Sequence, residues 1–178
     1  TGASRGLGRA IALELGTAGM NVVVNYFNGK DGAEDLCDQI HKLGAQALAV
    51  KADVRNPTEI DALVMQAEKA FGGIDILVVN ATGPQPMLSI EEQTWESYLD
   101  QLEFFVKSPL LLLKAVVSDM KEKRYGRVIQ IGSEVFELLE HGCLESGLVL
   151  AAGQRVRAEV DVLATVDDCQ LLLGEPRR

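Results

Sequence analysis

The opening segment, Thr1-Gly2-Ala3-Ser4-Arg5-Gly6-Leu7-Gly8, constrains the fold more than any other part of the sequence. Glycines at this spacing let the backbone curl tightly and bring main-chain N–H groups close to an anion, an approach that a Cβ would block. Leu7, Ala10, Ile11 and Leu15 then fall on one side of a helix predicted over 6–15. The curl therefore feeds a helix start, whose free N–H groups and positive dipole end attract phosphate. A strand pattern at 21–26, with the β-branched run Val22-Val23-Val24, follows that helix.

The alternation continues along the chain. Ala33, Leu36, Cys37, Ile40 and Leu43 keep helical spacing, and 46–52 reads as a strand that ends at Asp53-Val54. Asn56 as N-cap, Pro57 at the first helical position and Glu59 placed for a capping box announce the next helix. Its inner face is Ile60, Leu63, Val64, Ala67 and Phe71, and Gly72-Gly73 ends it. Strands follow at 76–80 and 127–131, separated by a long helix over 94–123 that Pro109 is expected to kink. Strand–helix alternation of this kind predicts an α/β fold, a Rossmann-type doubly wound parallel sheet with helices on both faces. After residue 136 the helical and buried-strand patterns stop. Residues 155–166 alternate apolar and polar side chains, which predicts one half-exposed strand in a divergent tail, 137–178.

Composition narrows the function. The formal net charge of −9 argues against nucleic acid or an anionic membrane as partner, since both attract basic surfaces. No apolar run approaches the roughly 20 residues that span a bilayer. Three scattered cysteines, Cys37, Cys143 and Cys169, and two histidines, His41 and His141, give neither a disulfide framework nor a metal site. Reduced thiols and a cytoplasmic location are expected.

On these motifs the chain resembles the short-chain dehydrogenase/reductase family, and within it most nearly the 3-oxoacyl-carrier-protein reductase-like members. Thr-Gly-x-x-x-Gly-x-Gly at 1–8 matches the family's cofactor signature. Asp53-Val54 matches a pair that typically contacts adenine. Asn80-Ala81 stands where the family has Asn-Asn-Ala-Gly, with Val79 in place of the first Asn and Thr82 near the Gly. Gly126-Arg127-Val128-Ile129-Gln130-Ile131-Gly132-Ser133 matches the strand leading to the family's active-site serine. The resemblance covers residues 1–136, expected to form the cofactor-binding domain. It implies a nicotinamide cofactor held by Gly2, Ser4, Arg5, Gly6, Leu7, Gly8, Asp53, Val54, Asn80 and Ala81, a small-molecule carbonyl or alcohol substrate, and a homo-oligomer formed through the helix 94–123. The cofactor is expected to be NADP(H). Tyr26, between Asn25 and Phe27, stands where an NAD site carries a ribose-binding acid, and Arg5 can pair with a 2′-phosphate.

The resemblance also says what is missing. In the family a Tyr exchanges a proton with the substrate oxygen, a Lys four residues on lowers the Tyr pKa, a Ser polarises the carbonyl and an Asn supports the proton relay. Ser133 matches the serine. The Tyr and Lys positions are Ser146 and Leu150, and the Asn position is Phe105. Tyr26 and Lys30 have the right spacing but sit around an Asn28-Gly29 turn at the adenosine end, so the pair is read as coincidence; Glu145 and His141 have no feature marking them as substitutes. The family's first strand, which precedes the glycine loop, has no counterpart in the sequence. A truncated reading, a frameshift or an alternative exon is the expected origin of both differences. Two functions remain open: an NADP(H)-dependent oxidoreductase moving hydride between nicotinamide and a carbonyl or alcohol carbon, and a nucleotide-binding remnant without catalysis. Another Rossmann-type binder, such as a methyltransferase, is disfavoured by the agreement at 53–54, 80–81 and 126–133.

Overall fold

The computed structural model describes residues 1–84 and 88–132. The expectations for Ser133, His141, Glu145, Ser146, Leu150 and the strand at 155–166 lie outside the described residues. Within them helices and parallel strands alternate as the hydrophobic periodicity predicts. Helix α1 (Gly6–Thr17) leads to strand β1 (Val22–Tyr26), helix α2 (Lys30–Lys42), strand β2 (Ala47–Lys51), helix α3 (Pro57–Phe71) and strand β3 (Ile76–Val79). A 3-10 turn (Ile90–Glu92) then precedes helix α4 (Trp95–Leu102), a π-helical segment (Glu103–Lys107), helix α5 (Ser108–Lys123) and strand β4 (Arg127–Gln130).

The strands form two parallel pairs. In one, β1 lies along β2 with Val24 opposite Ala49; in the other, β3 lies along β4 with Val78 opposite Ile129. Residues Thr1 to Ala3 run between the carboxyl ends of β1 and β3 and bond to both. The Ala3 N–H donates to Asn25 O at 2.8 Å, and the Thr1 hydroxyl donates to Val78 O at 3.2 Å. The glycine curl is thus anchored at the strand ends, where open α/β sheets bind their ligands.

Each pair has its own apolar packing. Val24, Leu36 and Ile40 are fully buried between β1 and α2, and Gly16 lets α1 close on Ile40, where a Cβ would come within 2.9 Å of that side chain. On the other side Ile60, Leu77, Val79, Leu112, Val116 and Met120 interlock α3 and α5 over β3. Buried aliphatic side chains of this kind contribute about 1.5–3 kcal/mol each.

Two local expectations need correction. The helix predicted over 94–123, with a kink at Pro109, instead carries a π-helical turn at Glu103–Lys107, ahead of that proline. Pro109 sits in the first turn of α5, where its missing N–H leaves no bond unmade. At the start of α3 the Asn56 side chain caps the Thr58 N–H at 3.0 Å, as expected, but Glu59 does not close a reciprocal box. Its carboxylate accepts from the Asp53 N–H at 2.8 Å and from the Asn56 amide at 3.0 Å. The Asn56 N–H turns back to Asp53 O instead. Glu59 therefore fastens the loop after β2 rather than the cap alone.

Candidate functional site

Three loops meet beside the glycine curl: residues 27–29 after β1, 52–56 after β2 and 80–84 after β3. The curl takes its shape from Gly2 and Gly8. Gly2 adopts φ +63°, and a Cβ there would press on the Ala81 backbone at 2.9 Å. A Cβ on Gly8 would strike the Asn80 amide and come within 2.5 Å of Gly2 O. Only hydrogen atoms fit at these positions, so the first turn of α1 lies directly on the loop that precedes it.

Threonine and asparagine side chains lock this arrangement. The Thr1 hydroxyl accepts the N–H groups of Asn80 and Ala81, both at 3.0 Å. The Asn80 amide donates to Thr1 O at 2.9 Å and to Gly2 O at 3.4 Å. Asn25, buried at the end of β1, accepts the Gly2 N–H at 3.1 Å and donates to Ala52 O at 3.0 Å. Asn25 thereby connects the curl, β1 and the end of β2 through one side chain. Sequence reasoning treated it only as a neighbour of Tyr26. Its signal was available: a polar residue closing a Val-Val-Val run has to be hydrogen-bonded where it is buried.

The start of α1 is left open. Arg5 is its N-cap, in extended backbone, and makes no side-chain cap; no acidic residue lies in the first turn. The first helical N–H to be bonded is that of Arg9, to Arg5 O. Among the described residues the N–H groups of Gly6, Leu7 and Gly8 have no acceptor. Gly6, Leu7 and Arg5 are exposed, and nothing lies within 4 Å of where a Gly6 side chain would begin. Uncapped N–H groups at a helix start form a ready anion site. The Arg5 guanidinium has no hydrogen-bond or ion-pair partner among the described residues. Ser4 donates its hydroxyl to Asn28 O at 3.1 Å, which holds the curl against the loop after β1.

The other sequence-predicted residues are placed nearby but are differently engaged. Val54 is buried, while its N–H has no acceptor among the described residues. The half-buried Asp53 carboxylate is gripped by Arg55, whose hydrogen bonds hold it below the usual aspartate range. Tyr26 is buried in β1 and Lys30 pairs with Glu34 at 3.3 Å, so the two do not form an acid–base pair. Phe105, at the position where the sequence predicts loss of a relay asparagine, lies inside the π-helical segment and is half-buried. Among the described residues no cluster of three His, Cys, Asp or Glu side chains could hold a metal ion, and no helix is long and apolar enough to cross a membrane.

Comparison with known proteins agrees with this arrangement. A family model described as short chain dehydrogenase matches residues 1–138. The chain is 35% identical over 137 residues to a 3-oxoacyl-[acyl-carrier-protein] reductase of Staphylococcus epidermidis, covering 76% of this chain and 55% of the relative. The corresponding Staphylococcus aureus reductase is 34% identical over 137 residues, with 54% of its length covered. The chain thus spans little more than half the length of the curated relatives it matches. Among solved structures, a metagenomic short-chain oxidoreductase in complex with NADP superposes with a TM-score of 0.69 at 29% identity, covering 74% of this chain and 59% of that one.

Proposed function

The chain belongs to the short-chain dehydrogenase family, and from that premise we propose that residues 1–136 bind NADP(H) and serve an oxidoreductase that moves hydride between nicotinamide and a small carbonyl or alcohol substrate. The observation that carries this reading is the open start of α1. Among the described residues the N–H groups of Gly6, Leu7 and Gly8 have no acceptor and the Arg5 guanidinium has no partner, beside a curl in which Gly2 and Gly8 admit no Cβ. Gly2, Ser4, Gly6, Leu7 and Gly8 would shape and line the pyrophosphate site, Arg5 would meet the 2′-phosphate, and Asp53, Val54, Asn80 and Ala81 would border the adenosine. The cofactor supplies the hydride; the chain binds and orients it. The solved relative in complex with NADP supports the phosphorylated form, as does the absence of an acid at Tyr26.

One observation favours a second reading, in which the dinucleotide is bound without turnover. Phe105 fills the π-helical segment with a ring that can neither donate nor accept a proton, and the sequence has Ser146 and Leu150 where the family has its Tyr and Lys. Ser133 alone would then remain of the catalytic set. The exposed apolar side chains of α4, the π segment and α5, namely Trp95, Leu99, Val106 and Leu110, support contact with a second subunit through this stretch. The scattered cysteines support a reducing, cytoplasmic setting.

Titration with NADPH and NADH, followed by fluorescence, tests the reading. NADPH is expected to bind more tightly than NADH, and Arg5→Ala to remove about tenfold of that preference while leaving NADH unchanged, as loss of a charge-assisted hydrogen bond requires. Equal affinity for both dinucleotides in the parent protein would refute the cofactor assignment. A parallel assay of NADPH oxidation over a panel of carbonyl compounds separates the two readings.

A further inference from the structure

Arg55, which sequence reasoning passed over, makes more side-chain contacts near the proposed site than Asp53 itself. Its Nε donates to Asp53 Oδ1 at 3.0 Å and one Nη donates to Oδ2 at 2.7 Å, the planar fork of a bidentate pair. Its own backbone N–H donates to the same Oδ1 at 2.9 Å. On the far side the guanidinium lies over the Phe104 ring, 4.6 Å from its centre, and the other Nη is 3.9 Å from Glu103 Oε2. Phe104 in turn packs against Gly83, at a position where no Cβ would fit. Arg55 therefore joins the loop after β2 to the π-helical segment, which itself packs on the loop after β3.

This geometry has a chemical consequence for Asp53. Two donors occupy Oδ1 and one occupies Oδ2, so the carboxylate keeps a single acceptor position on Oδ2 and cannot rotate without breaking the fork. An ammonium on a flexible stem would satisfy the charge but not fix the plane. A carboxylate held with one open lone pair accepts an amino group and repels a carbonyl oxygen.

We infer that Arg55 is a positioning residue that fixes the Asp53 carboxylate, anchored by its stacking on Phe104, so that the site distinguishes a 6-amino purine from a 6-oxo purine. The inference rests on the dinucleotide reading above and deepens it. Arg55 does not touch the nucleotide; it sets the direction in which Asp53 accepts.

The test compares NADPH with its hypoxanthine analogue, in which oxygen replaces the 6-amino group, by fluorescence titration of the parent protein, Arg55→Met and Arg55→Lys, each checked for cooperative thermal unfolding. The parent is expected to prefer NADPH by about tenfold, the value of a hydrogen bond to a charged acceptor. Both variants are expected to bring the two ligands within about twofold, through weaker NADPH binding and equal or tighter binding of the analogue. Folded variants that keep the parent's preference, or that weaken both ligands equally, would overturn the role given to Arg55. A parent that binds NADPH without discriminating against the analogue would overturn it as well, with the dinucleotide reading intact. A parent that binds neither ligand removes both.

Discussion

Replacing Gly8 by alanine tests the physical basis of the site without removing any group that could contact a ligand. The added methyl would overlap the Asn80 amide and approach Gly2 O to 2.5 Å, well inside van der Waals contact. Neither neighbour can yield cheaply: the Asn80 amide bonds to Thr1 O and Gly2 O, and Gly2 is held by Asn25. Overpacking costs about 1–3 kcal/mol, and losing the Asn80 contacts adds about 1 kcal/mol, so a loss of about 2–4 kcal/mol is expected. For a urea slope of about 2 kcal/mol/M, the midpoint falls by about 1–2 M. Gly6→Ala is the control, since its φ of +57° makes alanine strained but no atom lies within 4 Å. That variant is expected to lose only about 1–2 kcal/mol. Urea unfolding measures stability and an NADPH titration measures affinity, and Gly8→Ala should lower both. Equal midpoints for the two variants, or an unchanged affinity in Gly8→Ala, would refute the argument that close approach of α1 to the curl creates the anion site.

The remaining predictions concern the loop after β2 and the buried polar centre. Asp53 has its pKa lowered chiefly by the Arg55 hydrogen bond. A depressed carboxyl contributes stability above its unfolded pKa of about 3.9 and loses it as pH falls through the lower folded value. Thermal melts should therefore show the parent more stable than Asp53→Asn at pH 6, with the difference shrinking below about pH 4; a constant difference across that range would refute the pairing. Asn25→Leu keeps the branched shape, with somewhat larger volume, but leaves Gly2 N–H and Ala52 O without the partners they have now, at about 1–3 kcal/mol for each stranded group. Chemical denaturation should place this variant at least 2 kcal/mol below the parent, and a neutral result would mean water replaces the side chain.

The fold was largely legible because its signals are local. Val22-Val23-Val24 reads as a strand from three residues, and Asn56-Pro57 marks a helix start from two. The site was legible where backbone chemistry decides, as at Gly2 and Gly8, since few residues tolerate those positions. It was not legible where a side chain chooses among distant partners. Glu59 has the spacing of a capping box, yet the Asp53 N–H lies within reach and competes successfully. Arg55 has three acceptors or platforms to choose from, and its selection depends on Phe104, which is far away in sequence. The π-helical turn was also hidden. Its apolar periodicity differs from that of an α-helix by one residue, and Pro109 drew attention to the wrong place.

The π-helical turn and the Arg55 contacts together explain why the turn does not depend on the side chain of Phe105. An extra residue in a helical turn shifts the register of everything after it, so it persists only where neighbours fix both sides. Here Glu103 and Phe104 are held by Arg55 on one side, while Ser108 and Leu112 are buried on the other. The turn is thus secured by contacts that do not involve residue 105. A change of side chain at position 105 is therefore expected to leave the backbone of the turn in place. The curl from Thr1 to Gly8 likewise keeps its shape without residue 105, through the hydrogen bonds of Thr1, Gly2, Asn25 and Asn80.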